Sequence, residues 1–398
     1  GIMPVAVHGA EPDQLLSLEV AAKALADAGY GDRPYARERA GVILGRGGYL
    51  TPGIARLNQY VRTAQQLVEC LRVLLPELDD ARLEIIKKEF QLRLRAGRPD
   101  TSIGLVPNLA ASRIANRLDL HGPAYTIDAA CASSLVAVDH AVRELTLGNL
   151  DLVLAGGVHI CHDITFWSVF SQLGALSRSQ QIRPFDRRAD GLLIGEGVGV
   201  VVLKRLADAE RDQDRIYAVI RGTGVASDGR ESSLMNPRVA GQVLALERAW
   251  AAAGVDPSTV GLIEAHGTGT PAGDEAELTT LAQFFGPRAA GQAPAGLGSV
   301  KSMIGHAMPA AGAAGLIKAA LAVYHGIKPP TLHAEEPHPR LADTRFALVA
   351  EAEPWDGEWR RAGVNAFGFG GINAHVVLES YERTEPLRGA RALATADR

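Results

Sequence analysis

The sequence predicts an α/β fold in which a parallel-rich β-sheet is covered by helices on both faces. Short apolar segments alternate with longer segments of helical periodicity along most of the 398 residues. The alternation occurs twice, in residues 1–225 and again in residues 226–380, which indicates two similar halves. Glycine is abundant, at 43 residues, and aromatic residues make up only 5%, so we expect a closely packed interior of small side chains.

The first half begins with a helix over residues 14–29, where Gly29 is suited to the C-cap. Strands are predicted at 41–46, 122–130, 151–158, 196–204 and 215–224, and a helix at 132–147. Residues 54–97 are rich in charge and leucine, and Pro76 interrupts their helical periodicity. We therefore predict a two-helix insertion there, either a solvated lobe or a surface for a partner or for dimer formation.

The second half repeats the pattern. Its predicted strands are 260–265, 297–300, 345–350 and 372–379, and its predicted helices are 242–254, 274–285 and 309–325. Residues 381–398 are polar and rich in alanine, which is typical of a linker or a loose end.

Composition and charge exclude several functions. The net charge is −4 and no lysine- or arginine-rich block is present, which argues against nucleic acid as the main partner. No signal peptide and no apolar run of membrane-spanning length is visible, and the three widely spaced cysteines do not resemble a disulfide framework, so we expect a cytoplasmic protein. His159-Ile-Cys-His162 matches no usual zinc spacing. Gly195-Glu-Gly-Val-Gly199 superficially resembles a nucleotide-binding loop, but it leads into a strand rather than a helix, so the phosphate site at a helix N-terminus is missing.

Cys131 is the candidate nucleophile. It lies between a predicted strand and a predicted helix, in the stretch Asp-Ala-Ala-Cys-Ala-Ser-Ser at 128–134. A helix N-terminus stabilises a thiolate, and the small neighbouring residues leave room for a substrate. A lone cysteine is more often an inert buried thiol, but this position and two candidate histidine partners favour catalysis.

Two histidines and a lysine lie in Gly-rich turns after short apolar strands. His266 begins His-Gly-Thr-Gly-Thr at 266–270, and His306 ends Lys-Ser-Met-Ile-Gly-His at 301–306. Ligands bind at such strand ends in α/β folds. We expect Glu277 to be the carboxylate partner of Lys301, because a buried ammonium needs one. Asp274 is a second supporting carboxylate, and the hydroxyls of Thr268 and Thr270 are predicted to bind an amide-bearing substrate arm.

A third Gly-rich segment, Phe367-Gly-Phe-Gly-Gly371, offers backbone N–H groups and two aromatic rings. Its N–H groups are suited to an oxyanion hole, although such segments are also common as simple turns.

With these motifs in place, nearly the whole chain resembles a β-ketoacyl synthase of the thiolase-like fold. The resemblance implies a layered α-β-α-β-α sandwich. It makes Cys131 the acyl-accepting nucleophile, and His266 and His306 the pair that promotes malonyl decarboxylation and stabilises the enolate. The resemblance also implies that Lys301 orders the second histidine and that Phe369 is a gating residue whose N–H joins that of Cys131 in the oxyanion hole.

More closely, the chain resembles ketosynthase domains of iterative type I polyketide synthases, of the enediyne or polyunsaturated-fatty-acid kind. The stretches FWSVFSQLGALSRSQQIRPFDRRADGLLIGEG and KSMIGHAMPAAG carry this resemblance, and we favour the enediyne kind. It implies a homodimer, for which the strand at 122–130 is a candidate contact, that works with an acyl carrier protein domain and an adjacent acyltransferase domain. No bound cofactor or metal is expected, since substrates arrive on the carrier's phosphopantetheine.

The chain departs from the family pattern in three places. The usual opening strand is absent, and Gly1 lies within a family motif. Met303 and Ile372 replace the family's common Asn and Thr, without removing a catalytic group. Three alternatives remain: a ketosynthase-like domain that transfers acyl groups without condensing them, a chain-length-factor-like dimer scaffold, and a thiolase- or chalcone-synthase-like enzyme. The cysteine argues against the scaffold, and the two histidines argue against the other two.

Overall fold

The strands of the protein form two main sheets, and helices lie against both. The computed structural model describes residues 9–48, 51–94, 104–160, 163–230, 236–357 and 359–381, together with Val7. The strands are β1 (Ala40–Arg46), β2 (Ala124–Ile127), β3 (Leu152–His159), β4 (Gly197–Leu203), β5 (Val219–Ser227), β6 (Leu262–Glu264), β7 (Ala295–Gly298), β8 (Ile327–Lys328), β9 (Phe346–Leu348), β10 (Glu353–Pro354), β11 (Arg361–Gly368) and β12 (Ile372–Glu379).

The helices in this part of the chain are α1 (Pro12–Asp27), α2 (Pro52–Asn58), α3 (Ala64–Leu74), α4 (Asp80–Arg93), α5 (Leu109–Leu118), α6 (Ser133–Thr146), α7 (Ile164–Gln172), α8 (Leu206–Arg211), α9 (Val239–Ala253), α10 (Pro271–Phe285), α11 (Lys301–Ile304) and α12 (Ala311–His325). None of the helices within the described ranges is long and apolar enough to cross a membrane.

The two main sheets share one pattern of strand order and direction. The first has the order β2-β1-β3-β4, in which the first three strands are parallel and β4 is antiparallel to β3. The second has the order β5-β12-β11-β6-β7-β9, in which β9, β7, β6 and β11 are parallel and β12 is antiparallel to β11. The two sheets therefore repeat one arrangement, and each is mixed but mostly parallel, as the sequence predicted. The predicted boundary between residues 225 and 226 is corrected, because it falls inside β5, and β5 belongs to the second sheet.

Two central helices separate the sheets and make the five-layer arrangement that the resemblance implied. Helix α6 contacts β1 and β3 of the first sheet and β5 and β12 of the second, and α12 contacts β4 and β11. Helices α1 and α5 cover the outer face of the first sheet, and α9 covers the second, packed against α10. The main core lies between the sheets, where Leu135 and Leu316 of the central helices pack with Val153 and Val364 of the strands.

The two sheets differ at one edge, next to the antiparallel strands β4 and β12. Strand β5 pairs with the outer edge of β12, whereas among the described residues no strand pairs with the outer edge of β4. An apolar groove of about 570 Å³ lies along β4, between that strand and α12.

The structure adds several elements that were not predicted, among them helices α5, α7 and α8 and strands β8, β10 and β11. Strand β11 was not predicted, because its residues Arg-Ala-Gly-Val-Asn-Ala-Phe-Gly lack the β-branched and aromatic run that marks a strand. It nevertheless lies in the middle of the second sheet, buried along most of its length. The predicted two-helix insertion at 54–97 contains three helices over its described residues, α2, α3 and α4, and the expected break near Pro76 separates α3 from α4. Of the predicted tail 381–398, only residue 381 is within the described residues.

Candidate active site

Three chain segments that leave the carboxyl ends of parallel strands meet at one place in the fold. Strand β2 leads to Cys131, β6 leads to His266, and β7 leads to Lys301 and His306. The β11–β12 hairpin brings Phe369 to the same place. The sequence predicted this edge as a ligand site, because the carboxyl ends of parallel strands open onto a common crevice.

Cys131 is held in a tight turn between β2 and α6. One carboxylate oxygen of Asp128 accepts the N–H of Ala130 at 3.0 Å, and the other accepts the N–H of Gly48 at 2.8 Å. The hydroxyl of Ser133 donates to the carbonyl of Ala130 at 2.6 Å. These contacts hold Ala130 at φ +49°, a conformation that alanine adopts at a cost and that turns the chain toward the nucleophile.

The environment of the Cys131 sulfur favours the thiol at neutral pH. Burial raises the pKa of Cys131 to about 11, while the charge of Lys301 and the backbone N–H groups of Phe369 and Cys131 act to lower it. The sequence led us to expect that the start of the helix would largely supply the thiolate. In the resting structure the loss of solvation outweighs the groups that stabilise the anion, so ionisation of the thiol costs free energy.

The two N–H groups that contact the sulfur are the predicted oxyanion donors. Phe369 lies in the turn between β11 and β12, where Gly370 and Gly371 have φ values of +88° and +81°. The turn approaches the nucleophile closely: a Cβ on Gly368 would lie 2.7 Å from the carbonyl oxygen of Ala129. The ring of Phe369 is 41% exposed, and its centroid lies 6.2 Å from that of Phe170.

His306 is buried with a defined tautomer. Its Nδ1 accepts the N–H of Met308 at 3.1 Å. Burial, with the charge of Lys301 and the proximity of His159, lowers the pKa of His306 well below its usual value. A neutral imidazole that accepts at Nδ1 carries its proton on Nε2, so Nε2 is a hydrogen-bond donor.

The backbone of His306 is fixed by the segment before β4. Its N–H donates to the carbonyl of Leu193 at 2.8 Å, and its carbonyl accepts the N–H of Gly195 at 3.0 Å. A Cβ on Gly195 would lie 2.4 Å from the carbonyl oxygen of Ile304, so only glycine allows this contact. The glycine-rich segment 195–199, which does not form a nucleotide-binding loop, therefore supports the second histidine.

His266 lies beside His306. Their ring centroids are 5.4 Å apart and the ring planes cross at 82°, and the ring of Phe367 is 5.7 Å from that of His266. Burial lowers the pKa of His266 well below its usual value, and the charge of Lys301 and the neighbouring His306 act in the same direction. The buried Nδ1 of His266 has no hydrogen-bond partner among the described residues.

The predicted pairing of Lys301 with Glu277 is electrostatic rather than a direct contact. Lys301 is 3% exposed, and its burial lowers its pKa. The negative charges of Glu264 and Glu277 act in the other direction and raise the pKa, but by less than burial lowers it. Within the described residues, the ion pairs do not include Lys301 and Glu277; Glu264 instead pairs directly with Lys318, at 2.8 Å. The carboxylate of Glu277 accepts the backbone N–H groups of His266 and Gly267, each at 2.8 Å.

Asp274 supports the loop that follows His266. Its carboxyl group accepts the N–H of Phe185 at 2.7 Å and that of Gly269 at 3.2 Å. Burial raises the pKa of Asp274 to about 7. In the same loop the hydroxyls of Thr268 and Thr270 are 2.9 Å apart, so each has a polar partner without a substrate. Their role in binding the substrate arm stays a prediction.

Several residues that support the site were not identified from the sequence. Asp128 and Ser133 were visible within the nucleophile motif, but their contacts with the turn are set by the tertiary structure. Asn365 and His375 lie on β11 and β12 and carried no recognisable signal, yet Asn365 Nδ2 donates to Glu277 at 2.8 Å. Among the described residues no group of acidic, histidine or cysteine side chains is arranged to hold a metal, while residues 161 and 162 of the rejected zinc pattern lie outside them.

Comparison with known families places nearly the whole chain in one lineage. Residues 1–209 match the β-ketoacyl synthase N-terminal domain, residues 217–335 match the β-ketoacyl synthase C-terminal domain, and residues 336–395 match the ketoacyl-synthetase C-terminal extension. The two domain matches fall on the two halves that the sheets define.

Similar proteins are components of large synthases. One component of the polyunsaturated fatty acid synthase of Thraustochytrium sp. is 37% identical over 398 aligned residues, which cover 96% of this chain and 14% of that protein. One component of the phenolphthiocerol/phthiocerol polyketide synthase of Mycobacterium bovis is 46% identical over 286 residues, 71% of this chain and 15% of that protein. The chain thus spans less than one sixth of the length of these relatives.

Solved structures agree with this assignment. The PfaC keto synthase–chain length factor superposes with a TM-score of 0.82 at 35% identity, covering 96% of this chain and 40% of that one. The ketosynthase from module 6 of the Bacillus subtilis bacillaene synthase superposes with a TM-score of 0.79 at 32% identity, covering 96% and 62%. The cysteine, the two histidines and the lysine thus lie together in a thiolase-like ketosynthase fold, and the chain belongs to the β-ketoacyl synthase family of acyltransferases.

Proposed function

We propose that this ketosynthase extends a polyketide chain by decarboxylative Claisen condensation of an acyl thioester with a malonyl thioester. The observation that carries the proposal is the state of His306. Its Nδ1 is occupied by the N–H of Met308 and its imidazole is neutral, so it presents a donor at Nε2 beside the ring of His266. A neutral donor is what an enolate oxygen requires, because it stabilises the developing charge without protonating the carbon.

The first step transfers the acyl group to Cys131. The sulfur attacks the carbonyl carbon of the acyl thioester, the bond between that carbon and the carrier's sulfur breaks, and the thiol proton leaves with the carrier's thiol. The negatively charged oxygen of the tetrahedral intermediate accepts hydrogen bonds from the N–H groups of Cys131 and Phe369. The same two N–H groups contact the sulfur when no substrate is bound.

The second step forms the carbon–carbon bond. Malonyl thioester binds with its carbonyl oxygen toward His266 and His306, and CO2 departs as the electron pair moves into the enolate. The enolate carbon attacks the acyl-Cys131 carbonyl, and the carbon–sulfur bond breaks. The sulfur takes up one proton, so the products are a β-ketoacyl carrier thioester, CO2 and the free thiol.

The setting we propose is an iterative type I polyketide synthase of the enediyne or polyunsaturated-fatty-acid kind. The matches to a polyunsaturated fatty acid synthase and to PfaC support this broader group, and we retain the enediyne polyene pathway as the more specific proposal. The substrates would arrive on an acyl carrier protein domain, with an acyltransferase domain of the same synthase supplying malonyl groups. A homodimer in the cytoplasm completes the proposal. Strand β2 lies at an edge of the first sheet and is only half-buried, which suits a contact between protomers.

The test compares the wild-type chain with Cys131→Ala, His306→Ala and the exposed control His121→Ala. We expect Cys131→Ala to form no acyl-enzyme with a radiolabelled acyl carrier thioester. We expect His306→Ala to acylate normally but to lose roughly 100- to 1000-fold in malonyl decarboxylation, the usual effect of removing a donor to an oxyanion. His121→Ala should match the wild type.

Three results would contradict the proposal. Acyl-enzyme formation by Cys131→Ala would place the nucleophile elsewhere, and full decarboxylation by His306→Ala would remove the role of Nε2. A wild-type protein that acylates but releases no CO2 from malonyl carrier protein would be a transfer domain rather than a condensing enzyme. Labelling of Cys131 by a cerulenin-like epoxide separates both enzymes from an inert scaffold.

A further inference from the structure

Behind the candidate active site, four buried side chains form one continuous chain of hydrogen bonds. Trp250 Nε1 donates to His375 Nε2 at 3.0 Å, His375 Nδ1 lies 2.6 Å from Asn365 Oδ1, and Asn365 Nδ2 donates to Glu277 Oε1 at 2.8 Å. Each of the four residues is at most 3% exposed. The chain joins α9 to the middle of the second sheet and ends on α10.

The direction of every bond in this chain is fixed by its first member. An indole N–H can only donate, so Nε2 of His375 must accept. A neutral imidazole then carries its proton on Nδ1, which donates to Asn365 Oδ1. The amide is left with its NH2 group toward Glu277. Burial lowers the pKa of His375 to about 3, which keeps the ring neutral and the direction unchanged near neutral pH.

Glu277, the last residue in this series of hydrogen bonds, binds the polypeptide backbone of the active site. Oε1 of Glu277, which takes the amide of Asn365, also accepts the N–H of His266 at 2.8 Å, and Oε2 accepts the N–H of Gly267 at 2.8 Å. The conformation of the turn that carries the His266 imidazole therefore depends on where this carboxylate lies. An amide with its oxygen toward Glu277 would repel the carboxylate and move it from both N–H groups.

We propose that Trp250 and His375 are positioning residues for His266, and that they act through Asn365 and Glu277. The inference rests on the proposed role of His266 in decarboxylation. Neither residue touches the substrate. Trp250 selects the tautomer of His375, the tautomer selects the orientation of the Asn365 amide, and the amide orders the carboxylate that fixes the His266 turn.

The central variant is Trp250→Phe, which keeps an aromatic ring and removes the indole donor. We expect its malonyl decarboxylation rate to fall about tenfold, while the rate of Cys131 acylation stays within twofold of the wild type. The matched control is Trp355→Phe. Trp355 is also buried, at 7% exposure, and contacts Gly261 outside the chain of hydrogen bonds, so both rates should be unchanged.

A second pair of variants separates hydrogen bonding from packing. In His375→Asn, the new amide has an NH2 group where the imidazole has Nδ1–H, so it restores the donor to Asn365. In His375→Leu, that donor is absent and a similar volume is kept. We expect His375→Asn to retain decarboxylation within about tenfold of the wild type and His375→Leu to lose a further tenfold or more. Circular dichroism and thermal melts confirm that each variant is folded.

Two results would overturn the inference. One is decarboxylation by Trp250→Phe equal to that by Trp355→Phe. The other is an equal loss of acylation and decarboxylation in every variant, which indicates general damage to the fold. Failure of the proposed function gives a different result: the wild-type protein itself would release no CO2 from malonyl carrier protein. In that case, 15N NMR of the labelled histidines still tests the chain, since Trp250→Phe should shift the His375 ring nitrogens and Trp355→Phe should not.

Discussion

The reactivity of Cys131 should rise steeply with pH, because the buried sulfur is a weak acid. A thiol with a pKa of about 11 is ionised in roughly one molecule in ten thousand at pH 7. The difference of about four pH units corresponds to about 5 kcal/mol for ionisation at neutral pH. Alkylation requires the thiolate, so the rate constant for Cys131 should increase about tenfold for each pH unit between 7 and 10.

The assay is alkylation by iodoacetamide, followed by peptide mass spectrometry so that Cys131 is measured separately from the exposed Cys70. Lys301→Met provides a second perturbation. The positive charge of Lys301 lowers the pKa of the thiol, so its removal should reduce the Cys131 rate at every pH in this range. Lys318→Met is the matched control, because Lys318 pairs with Glu264 and is not among the groups that shift the pKa of the sulfur.

A plateau in the Cys131 rate below pH 9 would refute this reasoning. It would mean that the N–H groups of Cys131 and Phe369 stabilise the anion by more than burial opposes it. An unchanged rate in Lys301→Met would remove the electrostatic part of the argument. The fold must be verified at each pH by circular dichroism, so that exposure of the thiol by unfolding is not mistaken for ionisation.

Three further predictions concern stability. Gly45→Ala should lower the free energy of unfolding by about 1–3 kcal/mol in urea melts, because the new Cβ would lie 2.5 Å from the backbone nitrogen of Ser134. The control Gly31→Ala should change the free energy of unfolding little, because the nearest atom to its new Cβ is 3.7 Å away. Ser133→Ala should cost about 1–3 kcal/mol and slow Cys131 acylation, since the N–H of Ala129 loses its acceptor at 2.8 Å; normal acylation would contradict the assigned role of the turn. The free energy of unfolding should fall as the pH drops below 6.5, because His375 binds a proton in the unfolded chain but, with a pKa of about 3, not in the folded protein. The slope in His375→Asn should be smaller than that of the wild type by about 1.4 kcal/mol per pH unit. Equal slopes in urea melts at pH 5 and 6 would contradict this last prediction.

Much of the architecture followed from local patterns. Strands β1, β3, β4 and β12 and helices α6, α9 and α12 were predicted within a few residues of their bounds, because their apolar periodicity and flanking glycines are encoded locally. Strand β11 was missed because its burial comes from its neighbours in the sheet rather than from its own composition. The same limitation hid Asn365, which is placed by that strand.

The chemical groups of the site could be identified from the amino-acid sequence: one thiol, two imidazoles and one ammonium, each in a small-residue turn after a short strand. These turns are local features, and their residue types are sufficient to predict the chemistry. The protonation states and contacts of those groups depend on the packed fold. Burial makes the thiol a weak acid and both histidines neutral, the N–H of Met308 selects the tautomer of His306, and Glu277 holds the His266 turn instead of contacting Lys301 directly. The solvation of these groups and the direction of their hydrogen bonds depend on residues far apart in the chain. The pKa values and tautomers are therefore set only when the two halves pack together.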